Sequence, residues 1–293
     1  MRIAVTGGTG FVGSHLVRGL LGEGHDVVVV SRGSRRSRNE RLSVVSRDLT
    51  RDDNLAEAFA GCDAVIHLVA VIHERGQQTF ERVNRGSAER VAAAAAAAKV
   101  PHVIHQSAIG AGPDPRYPYL QTKWAAEEAF RGSGAPFSII RPSLIFGPGD
   151  GFFTLVARLI RLNPVIPIPG SGAALFQPVS IDDVVRCHLT ALERGPSLRV
   201  QEIGGPDHLT YVDIVQIVRR AIGARFRKLV RVPIRMLVPP AFVMNAVLKH
   251  PPITPQQLRL LEKNNITRID AMQQEFGFDP LRFEDNADYL EDY

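Results

Sequence analysis

Only two cysteines, Cys62 and Cys187, occur among the 293 residues. They are too few and too isolated for a disulfide framework or a metal-ligand cluster, so a reducing compartment and no metal site are expected. Long apolar runs are missing too: none reaches the ~18 residues that a membrane span requires. Only the initial Met precedes the first strand-like run, so no secretory leader is expected. Lysine is scarce, five residues against thirty arginines, so the net charge of +5 and the pI near 9.5 rest on arginine. Part of that charge sits in Arg32, Arg35, Arg36, Arg38 and Arg41. No nucleic-acid recognition motif accompanies the cluster, so nucleic acid is not an expected partner; a phosphate-bearing small molecule or a solvated loop is. An apolar content of 45% and a charged content of 22% describe an ordinary soluble, cytoplasmic protein with a full core.

What is present begins at once. Residues Arg2 to Thr6 form a β-branched run that breaks into glycines and then into a helical pattern with Phe11, Val12, Leu16 and Leu20. Gly7, Gly10 and Gly13 are spaced three apart. The first allows a sharp strand-to-helix turn, the second lets a pyrophosphate approach the backbone, and the third lets the helix pack on the strand. With Thr9, Phe11 and Val12 between them, free amides at the helix start point to dinucleotide binding.

Strands are expected at 2–6, 26–31, 42–45, 64–69, 102–106 and 136–141, alternating with helices or turns. That alternation predicts an α/β fold, a doubly wound parallel sheet of the Rossmann type. A helix containing Val91 to Val100, with seven consecutive alanines, is expected to pack tightly between sheet and neighbour. After Arg141-Pro142 the texture becomes richer in Pro and Gly. The expected division is a dinucleotide-binding domain over 1–145, with 176–204 returning to it. A smaller, mostly helical C-terminal lobe takes 146–175 and 205–293.

Strand two ends in Ser31-Arg32, without the acidic residue that usually holds the adenosine ribose hydroxyls in NAD sites. A hydroxyl and a guanidinium fork suit a 2′-phosphate, with Arg35 and Arg36 in reach, so NADP(H) is expected over NAD(H). Asp48-Leu49 either faces the adenine edge or, as a turn or cap beside Thr50, does not. Leu68, Val69 and Ala70 fall where a doubly wound sheet opens its ligand crevice.

Ser107 follows the fifth strand, and Tyr119-Leu-Gln-Thr-Lys123 comes twelve residues later. At i and i+4 of a helix, Tyr119 and Lys123 share a face, and an ammonium there lowers the phenol pKa. The phenol then exchanges a proton with a substrate oxygen while hydride moves to or from nicotinamide, with Ser107 bonded to the reacting oxygen.

Thr6-Gly-Gly-Thr-Gly-Phe-Val-Gly13, Asp48-Leu49, Asn84, Ser107, Tyr119-x-x-x-Lys123 and Arg141-Pro142 resemble the extended short-chain dehydrogenase/reductase superfamily over nearly the whole chain. The resemblance implies that Asn84 supports the proton relay and that Pro142 marks backbone beside the nicotinamide; Asn84 is otherwise a tolerated polar residue near a helix start. Ile139 to Gly147, Gln177-Pro-Val179, Gly204-Gly-Pro-Asp207, Leu209-Thr-Tyr211 and Pro251 to Leu258 narrow it. They resemble the atypical branch containing the nucleotide-binding accessory subunit of respiratory complex I and its bacterial relatives. That branch binds NADP(H), and its mitochondrial member is structural. The chain departs from sugar-nucleotide epimerases in its short Ser-to-Tyr interval and in Phe146.

Two functions follow. One is an oxidoreductase acting on an unidentified small carbonyl or alcohol. The other is a non-catalytic accessory or assembly protein of a respiratory or quinone-related membrane complex, peripheral to the inner face of the membrane. The run 236–248, with Arg231, Arg235, Lys249 and His250 on its flanks, either meets a membrane or partner or forms a lobe helix lining the substrate pocket. His102 and His105 are expected on opposite faces of one strand, and Asp182-Asp183 are expected to start a helix.

Overall fold

The computed structural model describes residues 1–33, 38–52, 54–225, 228–248 and 253–293. Its elements begin β1 (Arg2–Thr6), α1 (Phe11–Gly22), β2 (Asp26–Ser31), β3 (Leu42–Ser46), α2 (Leu55–Phe59) and β4 (Ala64–His67). Next come α3 (Ser87–Ala97), β5 (Val103–Gln106), α4 (Pro118–Gly132), β6 (Phe137–Pro142), β7 (Ile145–Phe146), α5 (Phe152–Leu162) and β8 (Val165–Pro169). After β9 (Leu175–Phe176) and β10 (Val179–Ser180) run α6 (Ile181–Arg194), β11 (Val200–Ile203), β12 (Leu209–Thr210) and α7 (Tyr211–Ala221). The last are β13 (Lys228–Val232), α8 (Ile234–Val247), α9 (Pro255–Leu260) and α10 (Ala271–Phe276). The chain forms two compact units, residues 1–142 with 181–202, and residues 143–180 with 203–293.

The first unit is built on a seven-stranded sheet in the order β11-β6-β5-β4-β1-β2-β3. β1 pairs in parallel with both β2 and β4, Ile3 lying opposite Val27 on one side and Ala64 on the other. Strands of a sheet covered by helices on both faces are buried twice over, so they read as unbroken apolar runs; Ile3 to Val5 and Ala64 to Ile66 are wholly buried. The strand order reverses between β1 and β4, and the carboxyl ends there diverge into a crevice. Along α3, Ala88, Val91, Ala92 and Ala95 are buried in a cluster with Val28, Val30 and Val65. Methyl-sized side chains let the helix lie close to the sheet. The helix stops at Ala97 rather than Val100, because Lys99 takes a left-handed conformation at φ 54°.

The fourth strand is also shorter than the sequence suggests, ending at His67 instead of residue 69. Leu68 N still donates to Thr6 O at 3.1 Å, but both backbone groups of Val71 are taken by the Asn84 side chain. That clamp draws the chain out of the sheet. Asn84 itself lies in a π-helical turn, Phe80–Gly86, that leads into α3.

The second unit packs around aromatic rings: Phe283 lies 5.0 Å from Phe146 and 4.5 Å from Phe153, with Ile214, Val215 and Val218 of α7 in the same cluster. Gly204 and Gly205 are forced by proximity, since a Cβ on them would meet Gln177 Cδ at 2.5 Å and Pro178 O at 1.9 Å. Gln177 Nε2 donates to Gly205 O at 2.7 Å, and Thr267 N donates to Gln177 Oε1 at 2.7 Å. Capping boxes Thr210/Asp213 and Thr254/Gln257 start α7 and α9. α8 is not the core helix that one reading of 236–248 required. Its Ala241 is buried, but Met236, Phe242, Val243 and Val247 are exposed. Among the described residues no helix is long and apolar enough to cross a membrane.

Candidate functional site

The turn after β1 is dictated by its glycines. Gly7 has φ +78°, and its carbonyl accepts from Gly10 N at 3.0 Å. A Cβ on Gly7 would sit 3.1 Å from Val69 N, and one on Gly13 would sit 2.1 Å from Gly7 O. Gly7 therefore leaves room for the chain after β4, and Gly13 docks α1 against the turn. No side chain caps α1, and its first turn holds no acidic residue. Its leading amides, those of Phe11, Val12 and Gly13 included, thus face the crevice end without an intrahelical acceptor, an arrangement suited to phosphate.

A cavity of about 370 Å³ opens beside this turn. Gly7, Thr9 and Gly10 line it from the turn, Ser31 and Arg32 from the end of β2, and Leu68, Val69 and Ala70 from the loop after β4. Asp48 and Leu49 line it after β3. Arg35 and Arg36 lie outside the described residues. The wall also carries Arg47, Arg51 and Arg82, which sequence reasoning missed. Arg47 was within reach of it, standing directly before Asp48-Leu49; Arg82 was not, since only folding brings it across. Gln77 Oε1 accepts from both Arg51 at 2.6 Å and Arg82 at 2.8 Å, tying the two sides together.

Two residues of the wall have partners within the protein. The Asp48 carboxylate accepts from Thr50 N at 2.9 Å and Thr50 Oγ1 at 2.8 Å, so it is a turn residue first. Burial opposes its ionised form, but the Thr50 bonds and the Arg51 and Arg32 charges outweigh that and hold it below the ordinary carboxylate value. The Ser31 hydroxyl donates to Gly33 O at 2.9 Å, so the proton offered to a phosphate is already engaged. The uncapped start of α1 and four guanidiniums facing one carboxylate fit a phosphorylated dinucleotide.

Tyr119 and Lys123 sit in the first two turns of α4, one turn apart. Lys123 Nζ donates to Gln106 O at 2.6 Å, anchoring α4 to the end of β5. Burial lowers the ammonium to about 8, against the opposing charge of Glu127. Burial pushes the Tyr119 phenol up to about 12, so the lowering expected from Lys123 is not what this arrangement produces. Without a direct bond to the ammonium, desolvation of the phenolate dominates. The Ser107 hydroxyl donates to Glu127 Oε1 at 2.5 Å. Glu127 is fully buried and takes a two-pronged grip from Arg141, Nε to Oε1 and Nη2 to Oε2, both at 2.7 Å. Sequence reasoning passed over Glu127, although it stands one turn beyond Lys123. The Asn84 side chain clamps Val71, with Thr122 Oγ1 3.4 Å from its Nδ2, and so anchors the loop after β4. Pro142 ends β6, its carbonyl accepting from Ile109 N at 3.0 Å.

Beneath these groups His105 stacks between His67, at 5.4 Å, and Phe130, at 4.7 Å. His67 Nδ1 meets Thr6 Oγ1 at 2.7 Å, and His102 Nε2 meets Ser138 Oγ at 2.9 Å. Among the described residues no cluster of His, Cys, Asp and Glu is arranged to hold a metal ion.

Residues 3–204 match the model of the NAD dependent epimerase/dehydratase family. Ceramide reductase of Caulobacter vibrioides is 33% identical over 240 residues, 79% of this chain and 73% of that protein. Mitochondrial NADH dehydrogenase [ubiquinone] 1 alpha subcomplex subunit 9 of Arabidopsis thaliana is 29% identical over 278 residues, 90% of this chain and 69% of that one. In fold, the chain is similar to UDP-glucuronic acid 4-epimerase of Bacillus cereus, solved with UDP-glucuronic acid and NAD. The TM-score is 0.76 at 22% identity, over 100% of this chain and 98% of that one. The chain belongs to the NAD dependent epimerase/dehydratase family of extended short-chain dehydrogenases/reductases, with the nicotinamide-dinucleotide-binding Rossmann fold of that family.

Proposed function

We propose that this family member is an NADP(H)-dependent oxidoreductase that reduces a small apolar carbonyl compound, with Tyr119 as the proton donor. The observation that carries the reading is the Tyr119–Lys123 pair, held on α4 in the same unit as the glycine turn and the arginine-walled cavity. Gly7, Gly10 and the leading amides of α1 would hold the diphosphate, and Arg32 with Arg47 would take the 2′-phosphate. The bound nicotinamide supplies or accepts hydride. The phenol is protonated at neutral pH and can donate to the alkoxide that develops as hydride reaches a carbonyl carbon. Lys123, whose Nζ also donates to Gln106 O, would hold the nicotinamide ribose. Likeness to a ceramide reductase supports an apolar substrate. Tyr119→Phe should abolish NADPH oxidation while leaving NADPH affinity within about twofold, because the hydroxyl enters only the proton transfer. Unchanged turnover in that variant removes Tyr119 from the reaction, and a metabolite screen following NADPH oxidation identifies the substrate.

A second reading is a non-catalytic accessory or assembly protein, stabilised by bound nucleotide and docked at the inner face of a membrane beside a respiratory complex. Likeness to subunit 9 over most of the chain favours it, as does the bond that engages the Ser107 hydroxyl with Glu127. NADPH then raises the melting temperature by mass action but is not oxidised by any acceptor, and the protein fractionates with membranes.

A further inference from the structure

We infer that the exposed apolar face of α8 docks on an anionic lipid surface, which rests on the peripheral placing above and names the partner and the residues. Met236, Pro240, Val243 and Val247 follow one another at helical spacing and form one stripe, which Pro239 and Phe242, three residues apart, widen on one side. Met236 is 63% exposed, Phe242 65% and Val247 76%, while Ala241 on the opposite side is buried. Soluble surfaces scatter such residues singly; a contiguous stripe marks a contact.

Charge identifies the partner. From Ile214 to Leu261 there is no Asp or Glu in 48 residues, and nine Lys and Arg. The remaining residues carry 26 Lys and Arg against 30 Asp and Glu, so this stretch alone makes the chain basic. Lys228, Arg231 and Arg235 are exposed where the chain enters α8, next to the stripe. A helix with an apolar face and cations at its edge lies in the interface of a membrane, apolar groups among the acyl chains and cations on the headgroups. A second copy of this chain is a poor occupant, because a two-fold contact would oppose like charges.

The test floats the full chain, loaded with NADPH, on vesicles of phosphatidylcholine alone or mixed at about two to one with phosphatidylglycerol. The protein should bind only the anionic vesicles and should leave them at about 0.5 M salt. Phe242→Trp should shift its fluorescence to the blue on binding. Arg231→Gln with Arg235→Gln, both solvent-facing changes, should weaken partitioning roughly 30-fold. Phe242→Asp should abolish it, with NADPH affinity and melting temperature unchanged. No affinity for anionic vesicles overturns the inference, as does binding indifferent to salt and lipid charge. Fractionation with cell membranes but not with protein-free vesicles overturns the lipid assignment and leaves the peripheral placing standing. A dimer in sedimentation velocity that Phe242→Asp dissociates, without vesicle binding, assigns the face to a second copy instead.

Discussion

Replacing Gly13 by Ala tests the coupling between helix packing and phosphate binding. The new Cβ would lie 2.1 Å from Gly7 O and 2.6 Å from Gly8 Cα, against backbone that has no rotamer to escape into. To reach even 3.0 Å, α1 must retreat from the turn by about 0.9 Å. Overpacking of this kind costs about 1–3 kcal/mol, and for a unit of this size each kcal/mol lowers the melting temperature by roughly 2–4 °C. A shift near 1 Å also stretches charge-assisted bonds from α1 amides beyond useful length. Each is worth about 1.5–3 kcal/mol, so losing one lowers NADPH affinity about 10- to 150-fold. The control lies in the same helix: nothing is within 4 Å of a Cβ on Gly22, so Gly22→Ala should be neutral or stabilising by up to about 1 kcal/mol. Melting curves and fluorescence titration with NADPH measure both effects. If Gly13→Ala melts and binds like Gly22→Ala, the docking role of Gly13 and the phosphate site at α1 are both refuted.

Arg32→Asp should flatten the preference for NADPH over NADH by about 10- to 150-fold, one charge-assisted contact, in parallel titrations; equal affinities in the unaltered protein would reject the 2′-phosphate reading. Asn84→Ala leaves two partly buried backbone groups of Val71 without their partners, which should cost about 1 kcal/mol in urea melts and raise hydrogen exchange at residues 68–71. Acid stability follows from buried histidines: burial lowers His67 to about 3, with His102 and His188 at about 4. The folded state holds them neutral while the unfolded chain protonates near 6.5. Their contribution is therefore complete above that pH and is lost as pH falls towards 4 and 3, at about 1.4 kcal/mol per unit for each group. Urea midpoints at pH 7.5 and 5 should diverge, and less so in His188→Leu; a pH-independent midpoint would show these groups to be protonated in the fold.

The sequence by itself determined the sheet and its turn. Apolar runs such as Ile3 to Val5 and Ala64 to Ile66, separated by helical patterns, permit only strands buried on both faces, and backbone sterics at Gly7, Gly10 and Gly13 are local. Strand-end residues such as Arg32, Leu49 and Val69 could be read as crevice residues, because a doubly wound sheet exposes those ends by topology. Tertiary structure decided whatever depends on distant partners. Arg82 joins Arg51 through Gln77, Asn84 closes on Val71, and Ser107 turns to Glu127 because Arg141 from β6 fixes that carboxylate there. It also decided the surroundings of Tyr119, since the spacing of two residues on a helix specifies neighbours but not the burial that disfavours the phenolate. The same holds for α8. An apolar run reads alike whether it faces a core or solvent, and only the packed chain shows that Ala241 is inside while Phe242 is out.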